Sequence, residues 1–204
     1  MIEQGSLEWL KSRHGNASAS RIADVIAKTK SGYAASRENY LTQLVLERFG
    51  IIEEFYTNSA MVHGTETEPF ARATYEIKNN VIVEEVGYIL HPRIANSGAS
   101  PDGRINQDGL LEIKCPSQKT HLEYLLAEKP PTKYIPQMAW QMACTGAQWC
   151  DFVSFDDRVP EGLQYFEVRY HRDEGYIEML EIEVTQFLIE VQDKYNLLNK
   201  RLDK

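Results

Sequence analysis

Along the first third of the chain, apolar residues recur three and four apart. Residues 6–13 read as a short helix with Ser6 as its cap. Ile22, Val25 and Ile26 lay an apolar stripe on a second helix, opened by Ser18 or Ser20. Ser36 caps a third, running to about Phe49 with Leu41, Leu44 and Val45 as its buried stripe and Gly50 as its stop. Residues 59–78 read as a fourth helix, although Pro69 sits awkwardly in its interior, where a proline removes a hydrogen bond. Pro69 is therefore expected to mark a first turn, with the preceding residues extended. The period then changes. Val81–Leu90 alternates and predicts a strand ended by His91-Pro92, and strands follow near 97–104 and 110–115. Leu122, Leu125 and Leu126 mark a helix stopped by Pro130-Pro131, and residues 134–146 form the next. Gln148–Phe155 and Leu163–Tyr170 are strands split by the turn-rich Asp156–Gly162. From about Asp173 to Leu202 the pattern is helical, far longer than the mean helix of about 12 residues. Packing across the core is its expected use, with a subunit interface as the other.

Alternating helices and strands predict an α/β architecture, and 204 residues suit a single domain spanning 1–204. The composition, 43% hydrophobic and 25% charged, supplies a proper core. No apolar run approaches the ~20 residues of a membrane span. The start, Met-Ile-Glu-Gln-Gly, lacks a basic n-region and an h-region, so no secretory signal is expected. Cys115, Cys144 and Cys150 are odd in number and form no C-x-x-C. They point to a reducing, cytoplasmic setting and away from zinc or iron–sulfur sites. The five histidines show no i,i+4 pairing, which argues against a His-based metal site. A net charge of −8 argues against a nucleic-acid partner. Locally the sign reverses: Lys11, Arg13, Arg21, Lys28, Lys30 and Arg37 stand against Asp24 alone, and local patches steer phosphate.

The densest chemistry lies in residues 97–116. Asp102 follows Pro101, and Glu112 and Lys114 sit two apart on an expected strand. Side chains alternate along a strand, so Glu112 and Lys114 share a face while Leu111 and Ile113 point into a core. Gly103 and the Asn106–Gly109 cluster are turn residues, and a hairpin-like return would bring both carboxylates to one spot. Hard oxygen ligands of this kind bind Mg²⁺ together with phosphate oxygens. Such an ion polarises phosphate and acidifies water, while a lysine can hold that water. In outline this is a site for metal-dependent phosphodiester hydrolysis; a turn followed by a solvated strand face is the competing reading.

Further pieces, in order, are Trp9-Leu-Lys-Ser-Arg13-His-Gly15, Ala19-Ser20, Arg21–Ala27, Gly64-Thr-Glu-Thr-Glu68-Pro-Phe-Ala-Arg72, Ser100-Pro-Asp102-Gly103, Leu111-Glu112-Ile113-Lys114-Cys-Pro116 and Tyr134-Ile-Pro-Gln137-Met-Ala-Trp-Gln141-Met142. Together they resemble the lambda-exonuclease / YqaJ-type viral recombinase family of the PD-(D/E)XK nuclease superfamily, over roughly Trp9 to Asp157. The resemblance implies a restriction-endonuclease-like core, with a central mixed sheet of about five strands flanked by helices. It implies a 5′→3′ exonuclease that digests one strand of linear duplex DNA to mononucleotides and leaves a 3′ tail. Asp102, Glu112 and the Ile113 carbonyl would hold Mg²⁺, two ions per site with Mn²⁺ as a substitute. Lys114 would place the attacking water, supported by Glu68 and Gln137. Arg13, Ser20 and Ser100 would grip the 5′-phosphate, and Met61 would wedge the DNA end. Gln141 is expected to be a helix-face neighbour touching DNA. The resemblance also implies a homotrimeric ring around double-stranded DNA ends, a single-strand annealing partner, and a phage or prophage origin in a bacterial cytoplasm. Two alternatives remain: an internally nicking PD-(D/E)XK endonuclease, and a non-catalytic DNA-end-binding module.

Overall fold

The computed structural model describes residues 4–51 and 58–202; residues 1–3, on which part of the leader reading rests, lie outside them. In chain order, α1 (Leu7–Arg13) leads through β1 (Ala17–Ser18) and a 3₁₀ turn into α2 (Ile22–Val25). A small hairpin of β2 (Lys28–Thr29) and β3 (Gly32–Tyr33) precedes α3 (Ala35–Arg48) and α4 (Ser59–Asn79). Then come β4 (Ile89–Leu90), β5 (Ser97–Ala99), β6 (Gly103–Ile105), β7 (Gly109–Lys114), α5 (Gln118–Ala127) and α6 (Ile135–Thr145). The chain continues with β8 (Trp149–Phe155), β9 (Tyr165–His171) and α7 (Glu174–Asn199).

The main sheet runs β6-β7-β8-β9 and is mixed: β7 and β8 are parallel, the outer pairs antiparallel. A parallel pair needs a crossover, and α5 with α6 provides it. A second sheet, β1-β5-β4, lies beside it. Both faces of the main sheet are covered. On one, Leu110, Cys150 and Phe152 meet α6, whose Met138, Ala139, Trp140 and Met142 are buried because the helix is apolar nearly all round. The same core takes in α2, α3 and α7, where Tyr40 stacks on Phe187 at 5.4 Å. On the other face, Ala71 and Tyr75 of α4 pack against Leu111, Ile113 and Val153. Each fully buried side chain of this size contributes about 1.5–3 kcal/mol.

Several expectations need correction. α4 is one helix from Ser59, with Pro69 in its interior and Asn58 accepting from the Met61 N–H at 3.0 Å. The lost N–H is outweighed because Thr67, Ala71 and Tyr75 form one buried stripe that runs past the proline. Tyr75 fastens that stripe, donating to the buried Asp151 at 2.7 Å, which Arg169 also grips at 2.7 and 2.9 Å. The Val81–Leu90 strand reduces to β4 and a bridge between Glu84 and Arg104. That bridge adds a short fifth contribution at the β6 edge. It exists because Gly103 has no Cβ, which would lie 2.0 Å from a Val83 methyl. Ser36, Ser18 and Ser20 do not cap: α3 starts after Ala34 and α2 after Arg21, neither with a side-chain cap. Ser6 does cap α1, accepting from the Trp9 N–H at 3.2 Å. The helix expected over the leucines is α5; its buried residues are His121 and Tyr124, and Leu126 is 85% exposed.

Candidate active site

Glu112 and Lys114 point from β7 toward α6, as alternation requires, but the face is not solvated: Glu112 is fully buried. A carboxylate with no access to water needs donors on both oxygens. Gln137 Nε2 donates to Oε1 and Gln141 Nε2 to Oε2, each at 2.6 Å, and Lys114 Nζ forms an ion pair with Oε1. The two glutamines lie one turn apart on α6 and so present both amides to the same strand. Asp102 enters from the β6 side, where its N–H donates to Leu111 O at 3.1 Å and its Oδ2 accepts from Ile113 N at 2.7 Å. The hairpin return is thus real. Its turn holds Asn106 at φ 52°, in the left-handed region that asparagine tolerates.

The electrostatics mark a crowded negative site. Burial pushes the Asp102 carboxyl well above its ordinary range; the charges of Glu112 and Glu68 add to that, and Lys114 opposes it. Burial works to lower the Lys114 pKa, but Glu112 and Asp102 outweigh it and hold the ammonium above its usual value. Glu68 reaches the group from α4, held by Arg72 at 2.9 Å, and Arg72 is in turn paired with Glu85. Three carboxylates and a carbonyl-bearing strand around one lysine make a hard-oxygen donor set suited to a divalent cation. A cleft of about 360 Å³ opens beside Lys114 and is lined also by Met61, His63, Tyr134 and Arg158. Met61 is 47% exposed on that wall rather than filling the core. At the same cleft His63, Asp156 and Asp157 bring ligand atoms within 4.8 Å of one another. There Arg158 already holds both oxygens of Asp156, each at 2.8 Å.

A second cluster forms at α1. The Arg13 guanidinium lies 4.1 Å over the Trp9 ring and 3.4 Å from Ser20 Oγ. Trp9 Nε1 donates to Ser100 Oγ at 2.9 Å, so one indole joins all three expected phosphate residues and ties them to the strand entering Asp102. Burial lowers the Arg13 pKa, and among the described residues no carboxylate is ion-paired with it. Three of the other five basic residues of the stretch are ion-paired within the fold. Arg21 pairs with Asp24 at 2.6 Å, Lys28 with Glu183 at 2.7 Å and Arg37 with Glu190 at 2.6 Å.

The expected DNA-facing role of Gln141 does not fit, since that side chain is fully buried against Glu112. The joining role of Trp9 and the Arg72 clamp on Glu68 are further features that only the structure reveals. The i,i+4 spacing of Gln137 and Gln141 was the one available signal for the amide pair.

The structure is similar to that of an alkaline exonuclease, LHK-Exo, from Laribacter hongkongensis. The two are 48% identical with a TM-score of 0.92, covering 97% of this chain and 98% of that one. The same relative is also known in complex with dAMP. A phage-related exonuclease from Haemophilus somnus 129PT shares the fold at 14% identity and a TM-score of 0.66. An uncharacterized protein, R354, of Acanthamoeba polyphaga mimivirus is 29% identical over 165 residues; the match takes in 74% of this chain but 29% of that protein's length. These likenesses agree with the mixed α/β, restriction-endonuclease-like core described above. Residues 8–148, which run from α1 past Glu68, Asp102, Glu112, Lys114 and Gln137, match the model of the YqaJ-like viral recombinase domain, and the chain belongs to that family.

Proposed function

We propose that this protein is a divalent-metal-dependent deoxyribonuclease that digests one strand of linear duplex DNA from the 5′ end to mononucleotides. The 3′ single-stranded tail it leaves would serve recombination by strand annealing. The carrying observation is the junction of Asp102, Glu112, Lys114 and Gln137 where the β6–β7 hairpin meets α6, since a binding module has no use for a buried, lysine-paired carboxylate. Family membership and the 48% identity to a named alkaline exonuclease support it, and the relative's dAMP complex supports a mononucleotide product.

Asp102, Glu112 and the Ile113 carbonyl would hold Mg²⁺, two ions per site with Mn²⁺ able to substitute. A bound ion supplies phosphate polarisation and a more acidic water. Lys114 orients that water and offsets the charge that grows on the phosphate oxygens. Gln137, half-buried at the cleft side of Glu112, steadies the water with its amide, and Glu68, fixed by Arg72, accepts a hydrogen bond from it. Arg13, Ser20 and Ser100 would receive the terminal phosphate, for which a guanidinium with no carboxylate ion pair among the described residues, beside two hydroxyls, is suited. Met61, exposed on the cleft wall, would serve as the apolar wedge that parts the strands.

Processivity would come from a homotrimeric ring acting in a bacterial cytoplasm, a phage or prophage function with an annealing protein as partner. Exposed Phe70 and Ile77 on the outer side of α4, with Ile82 beyond it, support a protein-facing surface. Among the described residues no helix is long and apolar enough to cross a membrane. A covalently closed circle run beside its linear form tests the exonuclease reading. The circle should remain intact while the linear form is consumed; cutting of the circle would instead indicate an endonuclease. Light scattering should give a trimer mass, and a monomer at working concentration would refute the ring.

A further inference from the structure

The two amides on Glu112 are not equivalent. Gln137 is half-buried and meets Oε1, the oxygen it shares with Lys114 at the cleft. Gln141 is fully buried and is the residue bonded to Oε2, on the inner side of a carboxylate that is itself fully buried. The other end of its amide, Oε1, lies 3.9 Å from the Cys150 thiol, whose single hydrogen also has the Asp151 carbonyl within 4.0 Å. Gln137 is partly exposed, whereas Gln141 is fully enclosed.

We propose that Gln141 is a positioning residue that fixes the rotation of Glu112, saturating the inner oxygen so that the outer oxygen faces the metal and the reacting phosphate. This rests on the nuclease reading above. A ligating carboxylate that is free to rotate holds its ion less well, and loss of such an outer partner typically costs about 10–100-fold in metal affinity. Gln141 acts through Glu112 and touches no substrate, so its loss shifts the metal requirement more than the turnover. Loss of Gln137, which meets the oxygen paired with Lys114, should instead lower kcat even at saturating metal.

Calorimetric titration of the whole protein with MnCl₂, without DNA, tests this. Gln141→Met removes the donor at nearly constant volume. Checked as folded by circular dichroism, it should bind Mn²⁺ about 10–100-fold more weakly than wild type. Its kcat should recover toward wild type as metal is raised. Should Gln141→Met fail to fold, Gln141→Asn keeps a buried amide but withdraws it by one methylene, and carries the same expectation. A folded variant that binds Mn²⁺ like wild type would overturn the inference and leave the nuclease reading standing. Wild type that binds no divalent ion would overturn both.

Discussion

Lys114 carries the opposing demands of this site in a single side chain. Burial disfavours its charge, while the neighbouring Glu112 and Asp102 carboxylates favour it and hold its pKa above the ordinary value. Lys114→Ala should lower turnover by about 10²–10³-fold, the usual cost of losing one group that stabilises developing charge. Near wild-type turnover in that variant would contradict the assignment. Arg13 lies outside the reacting group but has no carboxylate ion pair among the described residues. Arg13→Ala should reduce the preference for a 5′-phosphorylated over a 5′-hydroxyl end by about 10–100-fold, as expected for hydrogen bonds to a charged group. Competition between the two substrates measures it. At this scale strand alternation and a turn-rich return were informative for Asp102, Glu112 and Lys114, whereas Gln137, on α6, was expected only through the family resemblance. The sequence was uninformative for Gln141, whose burial is decided by how β7 and α6 meet, and for Trp9, whose indole reaches Ser100 across 91 residues.

Elements set the site through a few anchors. α4 brings Glu68 and Met61 to the cleft, and Tyr75 pins it to the sheet through Asp151. Tyr75→Phe removes one donor from a buried carboxylate that Arg169 still holds, so stability should fall by about 1–3 kcal/mol. Denaturant unfolding would show this as a lower midpoint with an unchanged slope. The long α7 was readable because its apolar positions recur over seven turns, and Ile177, Leu180, Val184, Phe187 and Val191 are buried. α4 was misread at Pro69 because a local rule against interior proline competes with a buried stripe that only the packed sheet defines. The 81–90 segment alternates like a strand, but its partner β6 is three residues long, which limits the pairing to one bridge. α5 was placed correctly from its leucines, but its inward face was not legible: His121 is drawn inward by Ser154 and the Leu163 carbonyl, each at 2.7 Å.

For the whole molecule, the acidic total charge and a phosphate-seeking role are compatible because half of the six basic residues of 11–37 are ion-paired within the fold, whereas Arg13 has no carboxylate ion pair among the described residues. The α/β class and the covered sheet followed from the alternation of elements; which sheet face took which helix did not. Stability should also carry a signature of His91, which stacks on Trp140 at 4.8 Å and accepts through Nδ1 from the Arg93 and Ile94 N–H groups at 3.3 and 3.1 Å. Burial lowers its pKa below the ordinary 6.5, partly opposed by Glu181. The unfolded chain then binds a proton first, so this contribution is complete above about 6.5 and is lost as pH falls through the folded value. The melting temperature of wild type should drop more steeply below pH 6.5 than that of His91→Asn; parallel curves would refute this. The most direct test of the nuclease account is digestion of linear duplex DNA labelled separately at each end. Wild type and Asp102→Ala would be compared, with Mg²⁺ and with EDTA. The account predicts Mg²⁺-dependent release of the 5′ label as mononucleotide by wild type alone. Release from the 3′ end first, or equal digestion in EDTA or by Asp102→Ala, would contradict it.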